Sequence, residues 1–182
     1  MKLLGIILLI FSPLAQSSSS LYVCKAVKAV IYSEAPIENI EATSVKGFSV
    51  IDLNKSEVQF NIPIKSFQFK KSLMQEHFNE NYLESDKYPN AQFKGKIRES
   101  IDPTKEGNYP VTVTGDLDVH GVKKNRTIPG VIRIKDNSVT ITSKFNVLCK
   151  DHNIDIPQLV FQNIAESIQV TVSGTFSAYK KP

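Results

Sequence analysis

Most of the chain after residue 20 alternates between hydrophobic and polar side chains. In the stretch from Val111 to Gly121, the residues Val111, Val113, Gly115, Leu117, Val119 and Gly121 share one face, and Thr112, Thr114, Asp116, Asp118 and His120 share the other. A period of two sustained over this length predicts a long antiparallel strand with one buried side. The same alternation predicts strands over Leu21 to Tyr32, Ile37 to Ile51 with a break near Lys46-Gly47, Glu57 to Ile64, Ala91 to Arg98, Thr127 to Lys135, Val139 to Cys149 and Ser167 to Tyr179. Phe67 and Phe69 follow Val58, Phe60, Ile62 and Ile64 with opposite parity, so a bulge near Lys65-Ser66 is expected to return them to the inner face. Only from Ser72 to Leu83 does the period change. There Leu73, His77, Phe78 and Tyr82 fall on one helical stripe, with Ser72 as its cap.

An all-β chain of about eight antiparallel strands, each with one apolar face, has two stable outcomes, a sandwich of two sheets or a closed barrel. Glycines on the inward face, at Gly95, Gly115, Gly121, Gly130 and Gly174, favour the barrel, because they allow tight bending and leave room inside. Strands of this length reach roughly 36 Å, and an eight-stranded barrel has an interior that holds one small ligand. The helix then caps one mouth of an elongated interior. Parity assigns the inner wall to Phe60, Ile62, Phe67, Phe69, Phe93, Val113, Leu117, Val119, Ile132, Phe145, Val170, Val172 and Phe176, with Phe78 at the capped mouth. Parity alone does not say whether these side chains touch a ligand or one another, since a solid barrel has the same alternation.

Met1-Lys2, the apolar run Leu3 to Phe11 and the small residues Ala15 and Ser17 read as a secretory signal over residues 1–17, too short to span a bilayer. One domain is expected over residues 21–180, with no linker and no internal repeat. The formal charge of +4 comes from 22 basic and 18 acidic residues, and the lysines are scattered over polar strand positions such as Lys94, Lys96 and Lys144. That is a solvated outer face, with no nucleic-acid patch. A denser group, Lys123, Lys124 and Arg126, falls in what reads as a hairpin turn and could meet an anionic headgroup. Cys24 and Cys149 are either two buried thiols or a disulfide closing a very long loop, worth about 4–5 kcal/mol on a chain-entropy model. Lipidation at Cys24 fits poorly, because Leu21-Tyr22-Val23 lacks the small residues such processing prefers.

The chemistry-bearing residues do not assemble into a catalytic pattern. Asp116, Asp118 and His120 alternate along one face and could just hold a metal, but an outward row of this kind is ordinarily solvated, and no metal is expected. His152 and Asp155 belong to the turn-like stretch Asp151-His-Asn-Ile-Asp155. His77, on the helix, either bonds within the barrel mouth or meets a ligand headgroup. There is no nucleophile, base and acid arrangement, no phosphate-cradling glycine loop and no paired zinc-type cysteines, so neither catalytic residues nor a cofactor are expected.

Two segments go beyond patterning. One runs from Leu73 to Gly95 and carries His77, Phe78, Tyr82, the Tyr88-Pro89 turn and Phe93; the other is Gly115-Asp-Leu117-Asp-Val119-His120-Gly121-Val122. Together they resemble the YceI-like, or polyisoprenoid-binding, family over roughly Ile37 to Phe176. The resemblance implies a lipocalin-like antiparallel barrel, exported to the bacterial periplasm, whose long pore holds an isoprenoid chain, with no catalysis firmly attached. Two departures concern headgroup recognition: Lys123 stands where the family has threonine after glycine-valine, and Ser33-Glu34-Ala35-Pro36 replaces an aspartate with histidine-serine. The resulting expectation is a periplasmic carrier that sequesters an isoprenoid or other long-chain lipid. Two buried isoprene units would contribute roughly 8 kcal/mol gross before ordering costs. Peripheral membrane contact and a homodimer, through a strand edge or Val131 and Leu148, are further expectations. The rival reading is an exported stress-related binding module whose packed barrel acts through protein partners.

Overall fold

In the computed structural model, which describes residues 21–34, 38–136, 138–156 and 165–179, the alternating segments join into one antiparallel sheet. Its strands are β1 (Leu21–Ser33), β2 (Ile40–Asp52), β3 (Glu57–Pro63), β4 (Gln68–Phe69), β5 (Asn90–Ile97), β6 (Gly107–Val119), β7 (Val122–Lys135), β8 (Ser138–Leu148) and β9 (Ser167–Ala178). Neighbours run β1-β9-β8-β7-β6-β5-β3-β2, and β2 pairs back onto β1, which closes the barrel. The two-residue β4 pairs with Ala42 and Thr43 of β2 above the end of β3, so β3 and β4 occupy a single interrupted place in the wall. The result is a closed eight-strand antiparallel barrel with one short helix. The expected signal over residues 1–17 lies outside the described residues.

Several local devices differ from those expected. A 3-10 turn at Ile64–Ser66, not a bulge, changes the parity: it sets inward Phe67 three positions after inward Ile64. Strand β2 does not break at Lys46-Gly47 but slips register there, with Val27 opposite Gly47 and Ala29 opposite Ser44. Strand β7 starts at Val122, five residues earlier than its pattern suggests. The hairpin before it turns on only two residues, His120 (φ 53°) and Gly121 (φ 71°), and a pair of positive φ values matches the twist of the flanking strands. Lys123, Lys124 and Arg126 therefore lie on a strand and not in a turn. Gly121 serves the turn and is not a wall glycine; a Cβ there would overlap the Tyr88 ring.

Helix α1 (Ser72–His77) continues through a wider π turn at Phe78–Tyr82. Lys71, not Ser72, occupies its cap position, without a side-chain capping bond. So short a helix is not stable alone and takes its position from packing. Phe78 supplies it, with ring centroids 5.7 Å from Phe67 and 4.9 Å from Phe69. The backbone N–H of Phe69 also donates to the Gln75 carboxamide. This docking turns Leu73 outward, 58% exposed, and gives Met74 the inward place expected of Leu73.

The two ends of the barrel differ. At the end opposite the helix, Tyr22, Ile51, Leu53, Ile101, Ile134, Val139 and Phe176 are buried together as a solid plug, with Ile51 and Phe176 fully inaccessible. At the helix end a second cluster, Ile64, Leu83, Cys149 and Ile154, forms a roof with Phe78 and Tyr82 against it.

Candidate ligand-binding cavity

Between plug and roof the barrel encloses a cavity of about 550 Å³. Period-two alternation brings one face of every long strand to it. Phe60 and Ile62 come from β3, Phe67 and Phe69 from the residues after the 3-10 turn, and Phe93 from β5. Val113, Leu117 and Val119 come from β6, Ile132 from β7, Phe145 from β8, Val170 and Val172 from β9, and Phe78 from the roof. Phe176 is the exception. It shares their parity but sits one layer lower, paired with Val139 near the β7–β8 turn, and its ring meets Phe60 edge-on at 6.4 Å. The interior is accordingly a blind pocket, not a tube running the length of the strands.

Sequence reasoning missed part of this wall. Ala29 and Ile31 of β1 and Ile40 of β2 line it, as do Met74, Leu83 and Ile154 at the roof. The parity of β1 and β2 carried a signal for the first three. Met74 lies on the short helix, whose stripe pointed to Leu73 instead, and Leu83 and Ile154 lie outside strands and helix, where periodicity is silent.

Polarity along the cavity is graded. Its polar wall residues are Tyr32, Ser33, Glu38, His77, Tyr82 and Gln92 at the upper end and Ser143 partway down β8, whereas Val58, Phe60, Ile97, Val111, Ile132 and Ile141, in the layer above the plug, are all apolar. Glu38 pairs with Lys71, which ties the approach to β2 to the start of the helix. Burial holds the Tyr82 phenol above its ordinary titration range, so it faces the cavity as a neutral hydroxyl. An amphipathic molecule fits this gradient in one direction, chain toward the plug and head toward the helix.

The rim is fixed by a histidine arrangement that the sequence did not reveal. Asp116, Asp118 and His120 do not converge: among the described residues no three His, Cys, Asp or Glu side chains come together as a metal site, and His120 has other partners. Its Nε2 lies 2.7 Å from a Glu84 carboxylate oxygen and its Nδ1 3.0 Å from the His152 carbonyl, with Tyr88 packed edge-on at 4.6 Å. Both partners are acceptors, so both bonds form only when each ring nitrogen carries a proton. His152 sits in the expected turn, a 3-10 turn (Cys149–His152), where it is fully buried, and its Nδ1 lies 3.0 Å from the Val122 carbonyl. The two rings thus join the loop after the helix, the β6–β7 hairpin and the segment after β8.

One seam interrupts the wall. The β7–β8 ladder runs only from Gly130↔Ser143 to Lys135↔Ser138. Pro129 accounts for its end. The backbone N–H and carbonyl of its β6 partner, Thr112, bond to Glu99 and Arg98 on the β5 side, so Pro129 faces β8, and proline has no N–H to give. Side chains bridge the gap above it: the Ser143 hydroxyl donates to the Pro129 carbonyl at 2.6 Å, and Arg126 donates to the Asn146 carbonyl at 2.8 Å.

Both cysteines are free and buried, Cys24 in the barrel core beside Gly174 and Cys149 in the roof. Burial pushes the Cys149 thiol up to about 11. Native protein at neutral pH should therefore resist iodoacetamide at Cys149 and take the label once unfolded in guanidinium. Because the folded state holds this proton more tightly than the unfolded chain, whose thiol ionises near 9.0, the associated stability is complete below pH 9 and is lost as pH rises toward 11. Thermal melts across that interval should show a falling midpoint, with a shallower fall in Cys149→Ala.

Comparison with known proteins agrees with this architecture. The family model for the YceI-like domain matches residues 27–176. A polyisoprenoid binding domain from Saccharophagus degradans, implicated in plant cell wall breakdown, superposes with a TM-score of 0.73 at 13% identity, over 88% of this chain and 99% of that one. BcnA of Burkholderia cenocepacia gives 0.69 at 16% identity, over 83% and 96%. The YCEI protein of Campylobacter jejuni gives 0.57 at 16% identity, over 99% and 94%. No curated protein matches the chain.

Proposed function

Because the chain belongs to the YceI-like family, we propose that it is an exported periplasmic carrier that sequesters an isoprenoid or similar lipid in its barrel. The fold supports a lipid-binding role, and one observation carries the reading furthest: a cavity of about 550 Å³ whose wall is mostly apolar and whose polar groups, Ser143 apart, gather at the capped end. Pockets of this size and composition are typical of small-molecule sites. The binding energy comes from taking a water-insoluble chain out of water, roughly 0.8 kcal/mol per buried methylene before ordering costs, so no charged anchor and no reaction step are needed. Phe60, Ile62, Phe93, Val113, Leu117, Val170 and Val172 hold the chain in this reading, and Phe67, Phe69 and Phe78 cover it. Peripheral membrane contact falls to the capped end, where Leu73 stands exposed beside Lys70 and Lys71, since the chain would enter and leave there.

Organic extraction of freshly purified protein, followed by mass spectrometry, tests the proposal. One lipid per protein is the expected result. An empty barrel that copurifies with another protein would favour a binding module acting through its outer surface.

A further inference from the structure

We infer that the bound chain is short, of about fifteen to twenty carbons, because the barrel is hollow only above its plug. This rests on the lipid reading and adds to it a limit on ligand length. Tyr22, Ile51, Ile134, Val139 and Phe176 are buried across the base, and none of them touches the cavity. A chain entering from the helix end therefore stops at the layer of Phe60, Val111 and Ile132.

The length of the pocket sets the limit. On β6 the cavity wall runs from Val111 to Val119, a path of roughly 27 Å along the strand and about 20 Å along the axis of a barrel with ordinary strand tilt. An extended hydrocarbon chain advances roughly 1.25 Å per carbon–carbon bond, so about 20 Å spans roughly sixteen main-chain carbons. Three or four isoprene units, each with four main-chain carbons, cover that length. Affinity from apolar burial grows only while added carbons leave water, so it stops rising once the pocket is full. Any further units remain outside the roof. The upper polar groups, Tyr32, His77 and Tyr82, leave the head of the molecule at that same end.

The test is a chain-length series on the delipidated full-length protein, using geraniol, farnesol, geranylgeraniol and an octaprenyl alcohol, each delivered from cyclodextrin and read by native mass spectrometry. Affinity should rise roughly tenfold or more per isoprene unit as far as geranylgeraniol. The octaprenyl alcohol should then bind within about threefold of it. An octaprenyl alcohol bound much more tightly than geranylgeraniol would overturn the length limit and leave the carrier reading standing. Failure of every prenol would remove both. Phe176→Ala deletes the central ring of the plug. If circular dichroism shows that it folds, the plateau should move to longer chains, and an unmoved plateau would count against the plug as its cause. If it does not fold, the series on the unaltered protein decides.

Discussion

Purified Val113→Trp protein should contain almost no lipid, below about a tenth of the unaltered protein's content, while melting within about 5 °C of it. Val113 stands midway along β6 with its side chain on the cavity wall and only partly covered by neighbours. An indole at that position occupies space that the chain needs. Overfilling a solid core typically costs 1–3 kcal/mol because neighbours must move. In an empty pocket the ring enters without displacing them, and the substitution separates ligand loss from fold loss. A solid barrel predicts the reverse, a large drop in melting temperature with nothing to lose in lipid content. Scanning calorimetry and mass spectrometry on the same preparation distinguish the two.

Gly115→Ala should have the largest effect on stability, about 3 kcal/mol, or roughly a 6–12 °C fall in melting temperature. Gly115 lies opposite Gly95 in the β5–β6 ladder, and a Cβ built on it overlaps the Lys94 carbonyl oxygen and the Gly95 Cα. Both are backbone atoms held by the ladder, so no side chain can rotate out of the way. The same methyl at Gly130 would meet its nearest atom, the Thr142 carbonyl oxygen, at 3.3 Å and should be accommodated with a far smaller shift. Paired thermal melts of Gly115→Ala and Gly130→Ala check the contrast. Equal losses would mean that close approach of β5 and β6 is not what Gly115 provides.

Much of this architecture is written locally. Alternation such as Val111-Thr-Val113-Thr-Gly115 fixes which face of each strand turns inward, and the change of period at Ser72 marks the only helix among the described residues. What parity omits is height along the barrel. Phe176 and Val172 share a face of β9, yet one belongs to the plug and the other to the cavity, because height depends on the stagger between strands distant in sequence. The early part of β7 was illegible for a related reason. Arg126 takes an inward position opposite Gly115, but the wall is split beside it, so a charged residue is tolerated there and the apolar alternation fails. His120 and His152 were separated by more than thirty positions in the chain, and only the closure of the rim brings the ring of one to the carbonyl of the other. Charged residues and turns decide the rim, where no periodicity operates.

A high-resolution density map of protein purified without added ligand tests the central claim most directly. One unbranched or methyl-branched tube of density should begin near His77 and Tyr82, pass Val113 and Phe93, and end above Phe176. An interior filled by side chains, or holding only ordered water against those apolar walls, would contradict it.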